Sequence, residues 1–177
     1  MTVIFQDLAE VAIFFGLMLM TFTEIFFGKI PMGLYGNQRN RDWYDTISYK
    51  IRGMPPRVVF PIVWTALYLG IVIGMFLYYR GETFPNGGYM IDTITLLFLA
   101  NIMLIKIWPF VFFALRMTVY SLAMIAFIIV LSLIMTVLFG VHEMWGSFVP
   151  FLLLTLWCCY ALYLNAMWVY IEKYMLR

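Results

Sequence analysis

The sequence predicts an all-α integral membrane protein, a five transmembrane helix bundle forming one domain over residues 1–177. Two observations predict it. Of 177 residues, 65% are hydrophobic and 11% are charged, whereas soluble chains carry about 25% charged residues. The apolar residues also gather in long uncharged runs: 22 positions from Val58 to Tyr79, 25 from Met117 to Val141 and 28 from Met144 to Ile171. A helix rising about 1.5 Å per residue crosses a hydrocarbon core of roughly 30 Å in some 20 residues. The expected spans are about 8–27, 56–79, 90–114, 117–140 and 146–171, with a polar loop at 28–55.

The first span is the shortest. Only the 13 residues from Val11 to Thr23 are free of charge, and the span reaches full length by taking in Leu8 to Phe27, with Glu10 and Glu24 near the two water interfaces. Residues Met1 to Glu10 carry no Lys or Arg, so neither a cleavable signal nor an arginine-rich transit peptide is expected there. The polar stretch from Lys29 to Arg57 that follows holds six of the eleven basic residues, with Pro31, Gly33 and Gly36 as turn markers and the aromatic pair Trp43-Tyr44. The second span opens on Pro55-Pro56, where a missing N–H costs least. Pro61 falls inside the apolar run and is expected to face protein, where neighbours can satisfy the freed carbonyl. Gly70 and Gly74, four apart, permit close helix approach.

The third span is interrupted by Lys106, a costly residue at that depth and by default a functional one. The expectation is that Lys106 is paired within the bundle, with Glu24 as the candidate partner, or bonded to a neighbouring subunit. The fourth span offers only Ser121, Ser132 and Thr136, expected to bond their own helix. His142 is expected to be a solvated interface residue. In the fifth span, Cys158 and Cys159 are adjacent, which suits neither a disulfide nor a metal site, and both are expected to be buried small apolar residues. Trp157 and Asn165 are eight apart and are expected to look the same way.

With five spans, one side of the membrane carries Lys29, Arg39, Arg41, Lys50, Arg52, Arg57, Arg116, Lys173 and Arg177, and the other carries Arg80. The positive-inside rule places the long loop 28–55 and the C-terminus in the cytoplasm or on the equivalent side of an organelle membrane. A net charge of +2 without a basic helix argues against nucleic acid as a partner. There is no phosphate loop, no zinc spacing and no nucleophilic triad, so no catalytic or metal residues are assigned.

The motifs are aromatic. They are Trp43-Tyr44 with Ile47, then Lys50 and Pro55-Pro56; Val63-Trp64 and Leu67-Tyr68; Trp108-Pro109 with Phe112-Phe113 and Arg116; and Trp157 with Leu164-Asn165. Together they resemble the signature of the TspO/MBR family, the translocator proteins once called peripheral benzodiazepine receptors. The likeness covers nearly the whole chain, with specific matches in the first loop and in the second and third spans. It departs where the family has Pro and Trp before the proline pair, here Ile51 and Gly53. It departs again where the third span has Asn, here Ile105, with Asn101 one turn earlier as the candidate substitute. Pro150 stands three places early in the last span and Trp168 one place early.

The resemblance implies a TspO-like bundle that binds a flat hydrophobic ligand, a porphyrin such as haem or protoporphyrin, or a sterol such as cholesterol, for transport or regulation. No cofactor is required. It assigns the ligand site to Trp43, Trp64, Tyr68, Asn101, Trp108, Trp157 and Asn165. Some bacterial members are reported to degrade protoporphyrin in light through tryptophans that match Trp64 and Trp157, but enzyme activity is not assigned to this chain on that ground. A sterol pattern can be read through Leu164, Tyr170 and Lys173. The membrane implied is mitochondrial, with a bacterial membrane as the alternative. Partners are the lipid bilayer, the tetrapyrrole or sterol, and a homodimer or the subunits of a membrane complex. The alternative function is an accessory or structural subunit of a larger membrane complex, for example in mitochondria, in which side chains fill the pocket.

Overall fold

The structure, a computed structural model, describes residues 11–21, 38–83 and 92–175. Their regular structure is entirely helical: α1 (Val11–Thr21), α2 (Gln38–Ser48), α3 (Val59–Tyr78), α4 (Thr93–Pro109), α5 (Thr118–Val141) and α6 (Trp145–Tyr174). Single π-helical turns, Tyr79–Thr83 and Phe110–Ala114, extend α3 and α4. Helices α3 to α6 are long and apolar enough to cross a membrane, and α1 is a shorter apolar helix. Leu8, Glu10, Glu24 and the remainder of the first expected span lie outside the described residues.

The bundle is built around α6, which packs along α5, α3 and α2, while α4 packs on α5. Helix α1 leans on α3 through Phe14, whose ring meets Phe76 edge to face at 5.4 Å. Small residues permit the closest approach. Gly74 lies against Ser147, whose Oγ donates to the Gly74 carbonyl at 2.7 Å, and a Cβ on Gly70 would touch Pro150. The Gly70/Gly74 face is thus turned inward onto α6.

Polar groups fasten the helix ends. Asp92 caps α4 by accepting from the Thr95 N–H at 2.8 Å and also accepts the Tyr78 phenol from α3. At the other end of α4, Pro109 has no N–H to give to the Ile105 carbonyl. The helix then widens into the π turn, where the Leu115 N–H reaches the Phe110 carbonyl. Proline and π turn together set the direction in which Phe112 and Phe113 leave the helix.

Several expectations are corrected. Pro61 is exposed, because α3 begins at Val59 and places it in the first turn; no intrahelical donor is needed there, so no protein neighbour has to compensate. The polar loop contains the helix α2, whose Trp43, Tyr44 and Ile47 recur at helical spacing with Ile51 just beyond. Cys158 is buried but Cys159 is exposed, since adjacent helical residues point about 100° apart. His142 is exposed at the α5–α6 turn, as expected of an interface residue. Lys106 is half-buried in α4, and Glu24, its candidate partner, lies outside the described residues.

Candidate functional site

Two apolar clusters fill the bundle. The larger runs through its middle and includes Tyr68, Ile71, Met75, Phe98, Phe139 and Phe151. The smaller lies where α2 meets the ends of α4 and α6, and is built on Ile47, Ile51, Phe112, Leu164, Trp168 and Ile171. Trp108 packs against both and joins them.

Helix α2 caps this end of the bundle because only one of its faces is apolar. Ile47 is completely buried, and Asp42 and Asp45 on the other face are exposed. The Trp43 ring lies 5.0 Å from Trp168 and 5.7 Å from Phe112. Its Nε1–H donates to Glu172 Oε1 at 3.2 Å, and the Arg116 guanidinium sits 5.2 Å from the ring centre. Tyr44 lies 5.0 Å from Trp168 and has the Arg57 guanidinium 4.9 Å from its ring centre; Arg57 also pairs with Asp45. Burial pushes the Tyr44 phenol up to about 12, against the opposing pull of the Arg57 charge. The chain after α2 is pinned by two phenols of α6: Tyr160 donates to the Gly53 carbonyl at 2.6 Å and Tyr163 to the Arg52 carbonyl at 2.9 Å. Gly53 has φ +83, a conformation glycine adopts without strain.

Under this cap the rings continue inward. Trp168 meets Phe112 edge to face at 5.2 Å, and Phe112 stacks on Trp108 at 5.5 Å. Trp157 lies beside Phe60 of α3 and Tyr160. Among the described residues, the indole N–H groups of Trp108, Trp157 and Trp168 are buried without a hydrogen-bond partner. Leaving such a donor unmade costs about 1–3 kcal/mol, so three along one aromatic tract make it the chemically distinctive part of the bundle.

The seven predicted ligand residues divide. Trp43 and Trp108 belong to the capped cluster, and Trp157 adjoins it through Phe60 and Tyr160. Trp64 and Tyr68 form a ring pair at 5.6 Å beside the larger core. Asn101 is buried and donates to the Ile128 carbonyl of α5 at 3.1 Å. Asn165 is buried and accepts from Ser121 Oγ at 3.1 Å. Both asparagines thus tie their helices to α5. Trp157 and Asn165 do not look the same way: eight helical residues turn the direction by about 80°, so one faces Phe60 on α3 and the other Ser121 on α5.

Of the sterol pattern, Leu164 is buried while Tyr170 and Lys173 are exposed, so the three do not share a face. Sequence reasoning left Trp168, Phe112 and Glu172 out of the ligand site, although Phe112 and Trp168 were noted among the motifs. A signal for Trp168 was present, because it stands eleven positions after Trp157, a spacing that returns to the same helix face. Glu172 could not be found this way, because its partners are brought to it from two other helices.

Alpha-helical packing and motif placement agree with a comparison against protein families. The model of the TspO/MBR family matches residues 11–171, nearly the whole chain. No curated protein matches it.

Proposed function

Because the chain belongs to the TspO/MBR family, we propose that it is a membrane protein that binds a flat hydrophobic ligand, a porphyrin such as haem or a sterol, in the aromatic tract beneath α2. The observation that carries this reading is the set of three buried, unpartnered indole donors of Trp108, Trp157 and Trp168 among packed aromatic rings. An apolar tract with a few polar groups suits a planar ligand that brings its own acceptors. The ligand acts in transport or regulation, and no cofactor is needed to hold it. The α2 end, with Arg41, Arg52, Arg57, Arg116 and Lys173, faces the cytoplasm or the equivalent side of a mitochondrial membrane, with a bacterial membrane as the alternative.

Titration of the detergent-purified chain with protoporphyrin IX, followed by tryptophan quenching, tests this reading. Saturable binding in the micromolar range, weakened by Trp157→Phe and Trp108→Phe, is expected. A folded protein that shows no saturation would rule it out.

One observation favours a second reading, an accessory subunit of a membrane complex. Trp43, Phe112 and Trp168 already lie ring against ring at 5.0–5.7 Å, the packing of a tract filled by its own side chains. In that case protein subunits co-purify with the chain and protoporphyrin does not displace them.

A further inference from the structure

We propose that Glu172 is a positioning residue that holds α2 closed over the aromatic tract, and that release of its hydrogen bonds opens the way for a ligand. The two carboxylate oxygens serve different helices. Oε1 accepts from Trp43 Nε1 of α2 at 3.2 Å, and Oε2 accepts from Thr118 Oγ1 at the start of α5 at 2.7 Å. Thr118 is buried and fixed by its helix, so the carboxylate is braced from the bundle side and offers α2 a stationary acceptor. One side chain of α6 therefore joins the cap to the bundle, 129 residues away in sequence.

Helix α2 depends on such a fastening. It has 11 residues, and isolated helices shorter than about 12–15 residues are marginal in water. Its apolar contacts come from one narrow face. The two phenol bonds from Tyr160 and Tyr163 hold the connection that follows α2, at Arg52 and Gly53, rather than the helix itself. Freed from Glu172, α2 can lift about that pinned connection by parting its ring contacts with Phe112 and Trp168 and the Arg57–Asp45 pair. Arg116 assists at the same indole. Its backbone lies in the left-handed region, φ 53, a conformation uncommon for a side-chain-bearing residue, with its guanidinium against Trp43.

Control of entry rests on the ligand-binding reading above, whereas closure does not, and the test separates them. Hydrogen exchange of the ligand-free full chain in detergent is measured for Glu172→Ala, Glu172→Gln, Trp43→Phe and the Glu172→Ala/Trp43→Phe double variant. Glu172→Ala is expected to speed exchange across residues 38–48 about tenfold, the scale of one hydrogen bond to a charged group, and to leave α3 to α6 unchanged. Glu172→Gln keeps an acceptor oxygen and gives a smaller rise. Trp43→Phe removes the donor together with part of the ring contact, and in its presence Glu172→Ala should cause no further rise. Unchanged exchange over 38–48, or a rise spread equally over α3 to α6, would overturn closure by Glu172.

In the second arm, the association rate of protoporphyrin IX is followed by stopped-flow quenching, and it should rise in Glu172→Ala. Faster exchange with an unchanged association rate would overturn control of entry. If the unsubstituted chain binds no protoporphyrin, the ligand reading fails, and the exchange data alone decide closure.

Discussion

Ser147 Oγ donates to the carbonyl of Gly74 at 2.7 Å, a contact that exists because Gly74 has no side chain. A Cβ at Gly74 would stand 3.3 Å from Ser147 Cα, and that atom is backbone and cannot swing aside. Gly74→Val is therefore expected to force α3 and α6 apart at a cost of about 1–3 kcal/mol. Thermal unfolding in detergent checks this. Gly81, with nothing within 4 Å of an added Cβ, provides the control, and Gly81→Ala should leave the melting temperature nearly unchanged.

Asn101 is tied to the Ile128 carbonyl inside the bundle. Polar bonds between membrane helices contribute about 0.6 kcal/mol on average and up to roughly 1.7. Asn101→Leu should lower stability by that order and leave protoporphyrin affinity unchanged. A large loss of affinity at unchanged stability would instead assign Asn101 to the ligand.

Asp92 both caps α4 and receives the Tyr78 phenol. Loss of an N-cap side chain costs about 0.5–2 kcal/mol, and here a second donor loses its partner as well. Asp92→Ala should therefore destabilise at the upper part of that range, with Asp92→Asn recovering most of the cap. Comparison of the two variants by thermal unfolding separates the cap from the charge.

Tyr44 gives a pH signature. Burial raises its phenol from 10.0 to about 12 in the folded protein, so the folded state keeps a proton that the unfolded chain has released. The stabilisation is complete below pH 10 and is lost as pH climbs toward 12. Exchange of residues 38–48 should therefore quicken over that window beyond its intrinsic base catalysis. Tyr44→Phe should remove the excess, and an identical profile in the two proteins would contradict the assignment.

Much of this was legible in the sequence where the signal was local. Long apolar runs, uncharged for α3, α5 and α6 and broken by Lys106 alone in α4, mark these four helices, since the energy of crossing a bilayer depends on composition and length and not on neighbours. Trp108-Pro109 marks the end of α4, because a proline beyond the first turn leaves the carbonyl four residues back without its donor. Trp43-Tyr44 with Ile47 already stood at helical spacing, but the surrounding polar residues concealed a helix whose stability comes from docking onto Trp168 and Glu172.

The sequence by itself determined that this chain is a membrane bundle, where its long spans run and which aromatic residues it carries. The tertiary structure decided which of them meet. It turned Trp157 toward Phe60 and Asn165 toward Ser121, brought Trp168 and Phe112 into the candidate site, and set Glu172 between Trp43 and Thr118. Whether a residue faces lipid, core or cap depends on a rotation of about 100° per position and on which helix stands opposite. Those partners come from distant parts of the chain, and only packing selects them.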